Sequence, residues 1–72
     1  MKTYFLFGKE AIDVFHLIEG IPEQQIAEHL KGTPYAVFVW DNQTHPMELL
    51  SAYDGWGDYL MITETLYELL CK

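Results

Sequence analysis

One cysteine in 72 residues, Cys71, rules out an internal disulfide. This constrains the fold strongly, because very small domains commonly lean on disulfides, a metal or association to make up for a thin core. No metal-ligand spacing takes the place of the disulfide: His16, His29 and His45 are scattered and no second cysteine joins them. Apolar burial is what remains, within one chain or between chains. Half of the residues are hydrophobic and 15% are aromatic. A domain of about this size buries only roughly 60% of the surface its unfolded chain exposes, so some of that apolar material must reach the surface. The expectation is a single domain over 1–72 that hides the surplus by self-association, most simply as a two-fold dimer.

Charge narrows the partners further. The net charge is -7, all four cations are lysines, and no arginine is present. Between Lys31 and Lys72 lie Asp41, Glu48, Asp54, Asp58, Glu64 and Glu68, with no base among them. Nucleic acids are recognised by cations that displace phosphate counterions, with arginine the favoured reader of bases. This chain is repelled by them, and by anionic membranes for the same reason. A protein with a basic surface is a compatible partner, although acids also serve simply to keep a hydrophobic small protein in solution. In the opening "MKTYFLFGKEAIDVF" only four apolar residues stand between Lys2 and Gly8, so neither a signal peptide nor a membrane span is expected. With a free thiol, the expected location is cytoplasmic.

The apolar periodicity changes several times along the chain. Thr3 to Phe7, "TYFLF", is β-branched and aromatic and ends at a glycine, so it is expected to form a buried strand. From Lys9 to Glu19, Ala11, Val14, Phe15 and Ile18 recur at helical spacing, with Ile12 beside them and Gly20 after them. "IPEQQIAEHLKG" follows the same rule: Pro22 opens a helix, Ile26, Ala27 and Leu30 form its stripe, and Gly32 closes it. Thr33 to Trp40, "TPYAVFVW", carries the strongest strand signal. Pro46 to Tyr53 reads as a short helix, with a strand that pairs with "DYLMIT" across "DGWG" as the alternative. Tyr59 to Thr63 reads as a strand and "ETLYELLCK" as a helix, with Thr65 and Glu68 as its capping box. The order β-α-α-β-(α)-β-α predicts an α+β fold, a small two-layer domain of about three strands with helices on one face.

Few residues suggest chemistry. "PEQQIAEHLKG" resembles the first helix of a helix-turn-helix, but a strand follows where a basic recognition helix should stand, so DNA binding is not expected. Asp41 and His45 flank the loop after the second strand, a position where a carboxylate and an imidazole could work as an acid-base pair; a solvated turn explains them more simply. No nucleophile sits in an elbow, and "FGK" has one glycine where a phosphate loop needs several. Neither catalytic residues nor a cofactor are expected. Asp54 and Asp58 lack the ligand spacing of a calcium loop. The feature that stands out is "SAYDGWGDYLMIT". Its glycines imply a tight turn, and a tryptophan between them must cover something. Trp56, Tyr53 and Tyr59, with Asp54 and Asp58 beside them, are therefore the expected binding residues. Trp56 is expected to fold back as a lid on the small core or to project as an anchor for protein, and the alternative is an aromatic pocket for a small ligand lined by Tyr53, Trp56 and Tyr59.

Overall fold

The computed structural model describes residues 1–43 and 47–71. Its elements are β1 (Thr3–Phe7), α1 (Lys9–Ile18), α2 (Glu23–Leu30), β2 (Ala36–Trp40), α3 (Met47–Trp56), β3 (Tyr59–Ile62) and α4 (Glu64–Cys71). The order is the expected β-α-α-β-α-β-α, in a small α+β domain with one antiparallel three-stranded sheet ordered β2-β1-β3.

Strand β1 is central because it alone can be buried on both sides. Phe5, Leu6 and Phe7 are consecutive and all buried, the pattern of a strand covered on two faces and not of a half-exposed one. It pairs with β2 from Thr3↔Trp40 to Phe7↔Ala36, and with β3 from Tyr4↔Ile62 to Phe7↔Tyr59. Strand side chains alternate between faces, so this register places Tyr4, Leu6, Val37, Leu60 and Ile62 on one face. Phe5, Phe7, Phe38, Tyr59 and Met61 fall on the other.

Helices α1 and α4 pack on the Leu6 face, and α2 seals them together from outside. Leu6, Ala11, Ile12, Ile26, Ala27, Leu30, Leu66 and Leu70 form the core there. Tyr35 fastens β2 to this layer by donating its hydroxyl to the Leu70 carbonyl at 2.8 Å. The fourth helix goes elsewhere. Strands β2 and β3 are parallel with β1 between them, so the chain must cross the sheet to join them. α3 makes that crossing over the Phe5/Phe7 face. Three helices thus share one face as expected, and α3 adds a partial third layer.

Local boundaries shift for identifiable reasons. β2 begins at Ala36 and not Thr33, because Thr33 closes α2: its amide and hydroxyl both donate to the Leu30 carbonyl, at 2.9 and 2.7 Å. Pro34 is held against Gly8, whose φ of 128° and whose place 2.6 Å (for an added Cβ) from the Pro34 oxygen leave room for glycine alone. The strand alternative for 46–53 is overturned, since Met47 to Trp56 is helical; Pro46 itself lies outside the described residues. The turn expected at "DGWG" is shorter than expected as well. Gly55 is inside the helix, and Gly57 alone turns the chain, with φ 78° and its amide on the Tyr53 carbonyl at 2.7 Å. The α4 cap is Thr63 and not Thr65: the Leu66 amide donates to Thr63 Oγ1 at 3.1 Å, and the Thr63 hydroxyl donates in turn to Glu23 of α2.

Candidate functional site

An amphipathic helix covers a sheet face with one stripe and turns polar residues outward. α3, "MELLSAYDGW", does not divide in that way. Leu49 and Ala52 are half-buried, while Met47, Leu50, Tyr53 and Trp56 are exposed. One helix of 10 residues also cannot roof a whole sheet face, and apolar ground stays open on both its flanks.

On the β3 flank Tyr53 meets Tyr59 edge-on at 5.2 Å between ring centroids. Tyr59 reaches Phe5 at 5.8 Å and Phe7 at 6.0 Å. Leu49 and Leu50 complete the lining of an open apolar cavity of about 320 Å³. On the β2 flank Trp56 lines a shallower groove of about 440 Å³ with Phe38, Met47, Ser51 and Ala52. Beneath both, Phe7 packs edge-on against Phe38 at 5.3 Å. Edge-to-face pairs of this kind add stabilisation beyond simple burial, so the floor is firm while its roof is incomplete.

The expected binding residues therefore divide. Tyr53 and Tyr59 come together on one side of α3, and Trp56, 38% exposed, stands on the other. Asp54 is exposed on the helix. Asp58 shapes the backbone: its carboxylate accepts the Tyr59 amide at 2.9 Å, and its carbonyl accepts the Gly8 amide at 3.4 Å. Phe5, Phe7, Phe38, Met47, Leu49 and Leu50 were not anticipated as site residues. For Phe5 and Phe7 the signal lay in "YFLF", where an unbroken apolar run demands cover on both faces.

His45 lies outside the described residues. Asp41 accepts the Gln43 amide at 2.9 Å in a local turn. Among the described residues, no cluster of His, Cys, Asp and Glu is arranged to hold a metal, and the buried side chains are all apolar. The polar contacts gather at the rim of the helical layer. Tyr4 donates to Glu64 Oε2 at 2.7 Å, and its ring lies 4.9 Å from that of Tyr67. The hydrogen bond to Glu64 pushes the Tyr4 phenol up to about 12. A hydrogen bond with the exposed Cys71 raises Tyr67 as well. No described helix is long and apolar enough to cross a membrane. Comparison of the chain with protein-family models, curated proteins and solved structures finds no match.

Proposed function

We propose that this acidic protein works by binding protein through the apolar surface around α3, with a second copy of itself as the first partner, and not by catalysis. The observation that carries the reading is the half-roofed sheet face. Met47, Leu50, Tyr53, Trp56, Tyr59 and Met61 are all exposed large apolar residues, and all belong to α3 or β3. Scattered exposed apolar residues are ordinary, whereas a contiguous set beside an aromatic floor marks an interaction surface. Tyrosine and tryptophan are also the residues that most often anchor interfaces. The acids around them suit a cytoplasmic protein that must stay soluble when alone, and they suit a basic rim on any further partner. Sedimentation or light scattering from low to high micromolar concentration tests the reading. A dimer is expected, and a monomer throughout that range removes self-association from it.

A second reading rests on the cavity beside Tyr53 and Tyr59. Its volume of about 320 Å³ falls at the small end of ligand sites, which run from about 300 to 1,000 Å³. Its lining selects a neutral apolar or aromatic molecule. Saturable 1:1 binding of a neutral dye such as Nile red, lost in Tyr53→Ala, would favour this reading; unsaturable binding would discard it.

A further inference from the structure

We infer that the open half of the Phe5/Phe7 face is a seat for one cationic amphipathic helix of another protein, laid beside α3 over β1 and β3. This rests on the reading of the α3 surface as a protein-binding face and names a partner for it.

The opposite face shows how many helices this sheet takes. There α1 lies over β1 and β3, and α4 lies over β1 and β2. Two helices side by side cover the three strands, as their widths require: strands are spaced by about 4.8 Å and packed helices by about 8–10 Å. On the Phe5/Phe7 face α3 lies over β1 and β2, the half that α4 holds on the far side. Among the described residues, no helix covers the half that backs onto α1. Its lining is accordingly exposed. Tyr59 is 48% and Met61 67% exposed on β3, while Leu50 and Tyr53 flank them from α3 at 52% and 42%. The cavity of about 320 Å³ lies between α3 and Tyr59, over Phe5 and Phe7. β1 has five residues. A strand of that length runs about 17 Å, and a helix of about 12 residues, roughly 18 Å long, spans it.

Charge selects the polar side of that helix. Asp54 follows Tyr53 on α3 and Asp58 precedes Tyr59 on β3, and both acids are exposed. No lysine or arginine lies between Lys31 and Lys72. Lys9 and Lys31 belong to α1 and to the end of α2, in the layer on the opposite face. Lysines flanking an apolar stripe therefore meet an acidic rim, the charge match that steers helices into grooves. Each described helix of this chain holds more acids than bases, so the cationic helix comes from another protein. Four part-exposed side chains make a small surface. The contact belongs with transient interfaces, which bury less than about 1,200 Å² in total, and the charge contributes selectivity more than affinity.

The probe is a labelled synthetic helix of about 12 residues, with leucine at i, i+3, i+4 and i+7 and lysine elsewhere. One companion peptide has the same residues in scrambled order, and another has glutamate for lysine. Fluorescence anisotropy is read in physiological salt, with circular dichroism of each protein as the folding control. Saturable 1:1 binding of the lysine helix is expected. Scrambling, glutamate, or Met61→Glu in the protein should each weaken it by about tenfold or more, as loss of an anchor does. Met61→Glu makes the chain more acidic, so weaker charge attraction cannot explain its loss. Leu17→Glu on α1, at a position 83% exposed, adds the same charge away from the seat and should bind as the wild type does. Equal binding by Met61→Glu and Leu17→Glu would overturn the seat, and equal binding of the scrambled peptide would overturn the helix. Equal binding of the glutamate peptide would overturn the cationic partner and leave the apolar surface as a protein-binding face. No binding of the lysine helix at high micromolar concentration would overturn the inference as a whole. Sedimentation of the wild type alone tests the wider reading without any peptide, so the two can fail separately. If Met61→Glu does not fold, amide shifts of the wild type during the titration decide. Shifts gathered in 49–61 support the seat, and shifts centred elsewhere refute it.

Discussion

The two faces of the sheet share strand β1 and differ in everything laid over them. On one, Leu6 is fully buried under three helices whose apolar stripes converge: Ala11 and Ile12, Ile26 with Ala27 and Leu30, Leu66 and Leu70. On the other, Phe5 and Phe7 are as well buried, but beneath one helix and their own aromatic neighbours. Around them Leu50 and Met61 keep more than half of their surface in water. Stripes on α1, α2 and α4 end where the core ends, so that layer is complete in a single chain. α3 is apolar on several sides and cannot be satisfied by the sheet alone. The two faces differ in completeness: one is closed within the chain, and the other keeps large apolar side chains in water.

The largest expected effect comes from attacking the finished face. Leu6→Ala removes a side chain with no exposure. Such truncations cost about 2–5 kcal/mol, against a total stability of about 5–15 kcal/mol that small domains approach from the low end. Met61→Ala, on the open face of the neighbouring strand, should stay within about 0.5 kcal/mol in the free monomer. Denaturant midpoints of the two variants at low protein concentration measure the contrast. Equal losses would mean that the two faces are not different in kind.

Trp56→Ala comes next in size. Loss of a fully buried aromatic costs about 3–5 kcal/mol, but Trp56 is 38% exposed, so the effect on the monomer should be smaller. If the proposed self-association uses the α3 surface, the larger consequence is expected in the fraction of dimer. Solution mass read beside the melting curve separates the two. A variant that keeps its dimer and loses its fold would make Trp56 part of the core and not of the interface.

Much of this architecture was legible in the sequence because period and punctuation agreed. The α1 stripe with Gly20 after it, and the α2 stripe between Pro22 and Gly32, gave those helices to within a residue or two. The part that was not legible concerns α3. "DGWG" has the local chemistry of a turn, yet Asp54, Gly55 and Trp56 are helical. With the helix continued, Trp56 comes to line the same groove as Phe38, and one glycine inside a helix costs only about 1 kcal/mol, which tertiary packing readily outweighs. The cap of α4 was misplaced for a similar reason. Thr63 and Thr65 are both plausible caps in one dimension, but Thr63 ends β3 and reaches Glu23 across the fold, which no local pattern reveals. The site was half legible: Tyr53, Trp56 and Tyr59 are clustered in sequence, but their separation by the body of α3 appears only when the crossing is known.

The smallest expected effect is also the most selective, because it touches only the polar rim of the finished face. Tyr4 sits on the Leu6 side of β1, where its hydroxyl donates to Glu64 at the start of α4. That hydrogen bond, with burial and the nearby carboxylates adding to it, raises the phenol from 10.0 to about 12 in the folded protein. The unfolded chain loses this proton near its ordinary value, so between pH 10 and 12 the folded state holds more protons than the unfolded one. Stability then falls as pH rises. The contribution is whole below pH 10 and is lost as the pH passes through about 12. Tyr4→Phe should therefore leave melting at neutral pH little changed and flatten its decline above pH 10. Tyr67, raised in the same direction by its hydrogen bond with Cys71, stays in both proteins, so the difference between the two curves isolates Tyr4. Phenolate absorbance of the folded wild type gives an independent reading: Tyr4 and Tyr67 both titrate late, and the Tyr4 step alone is missing from the variant. Curves that decline in parallel above pH 10 would show that the bond between Tyr4 and Glu64 does not persist in solution.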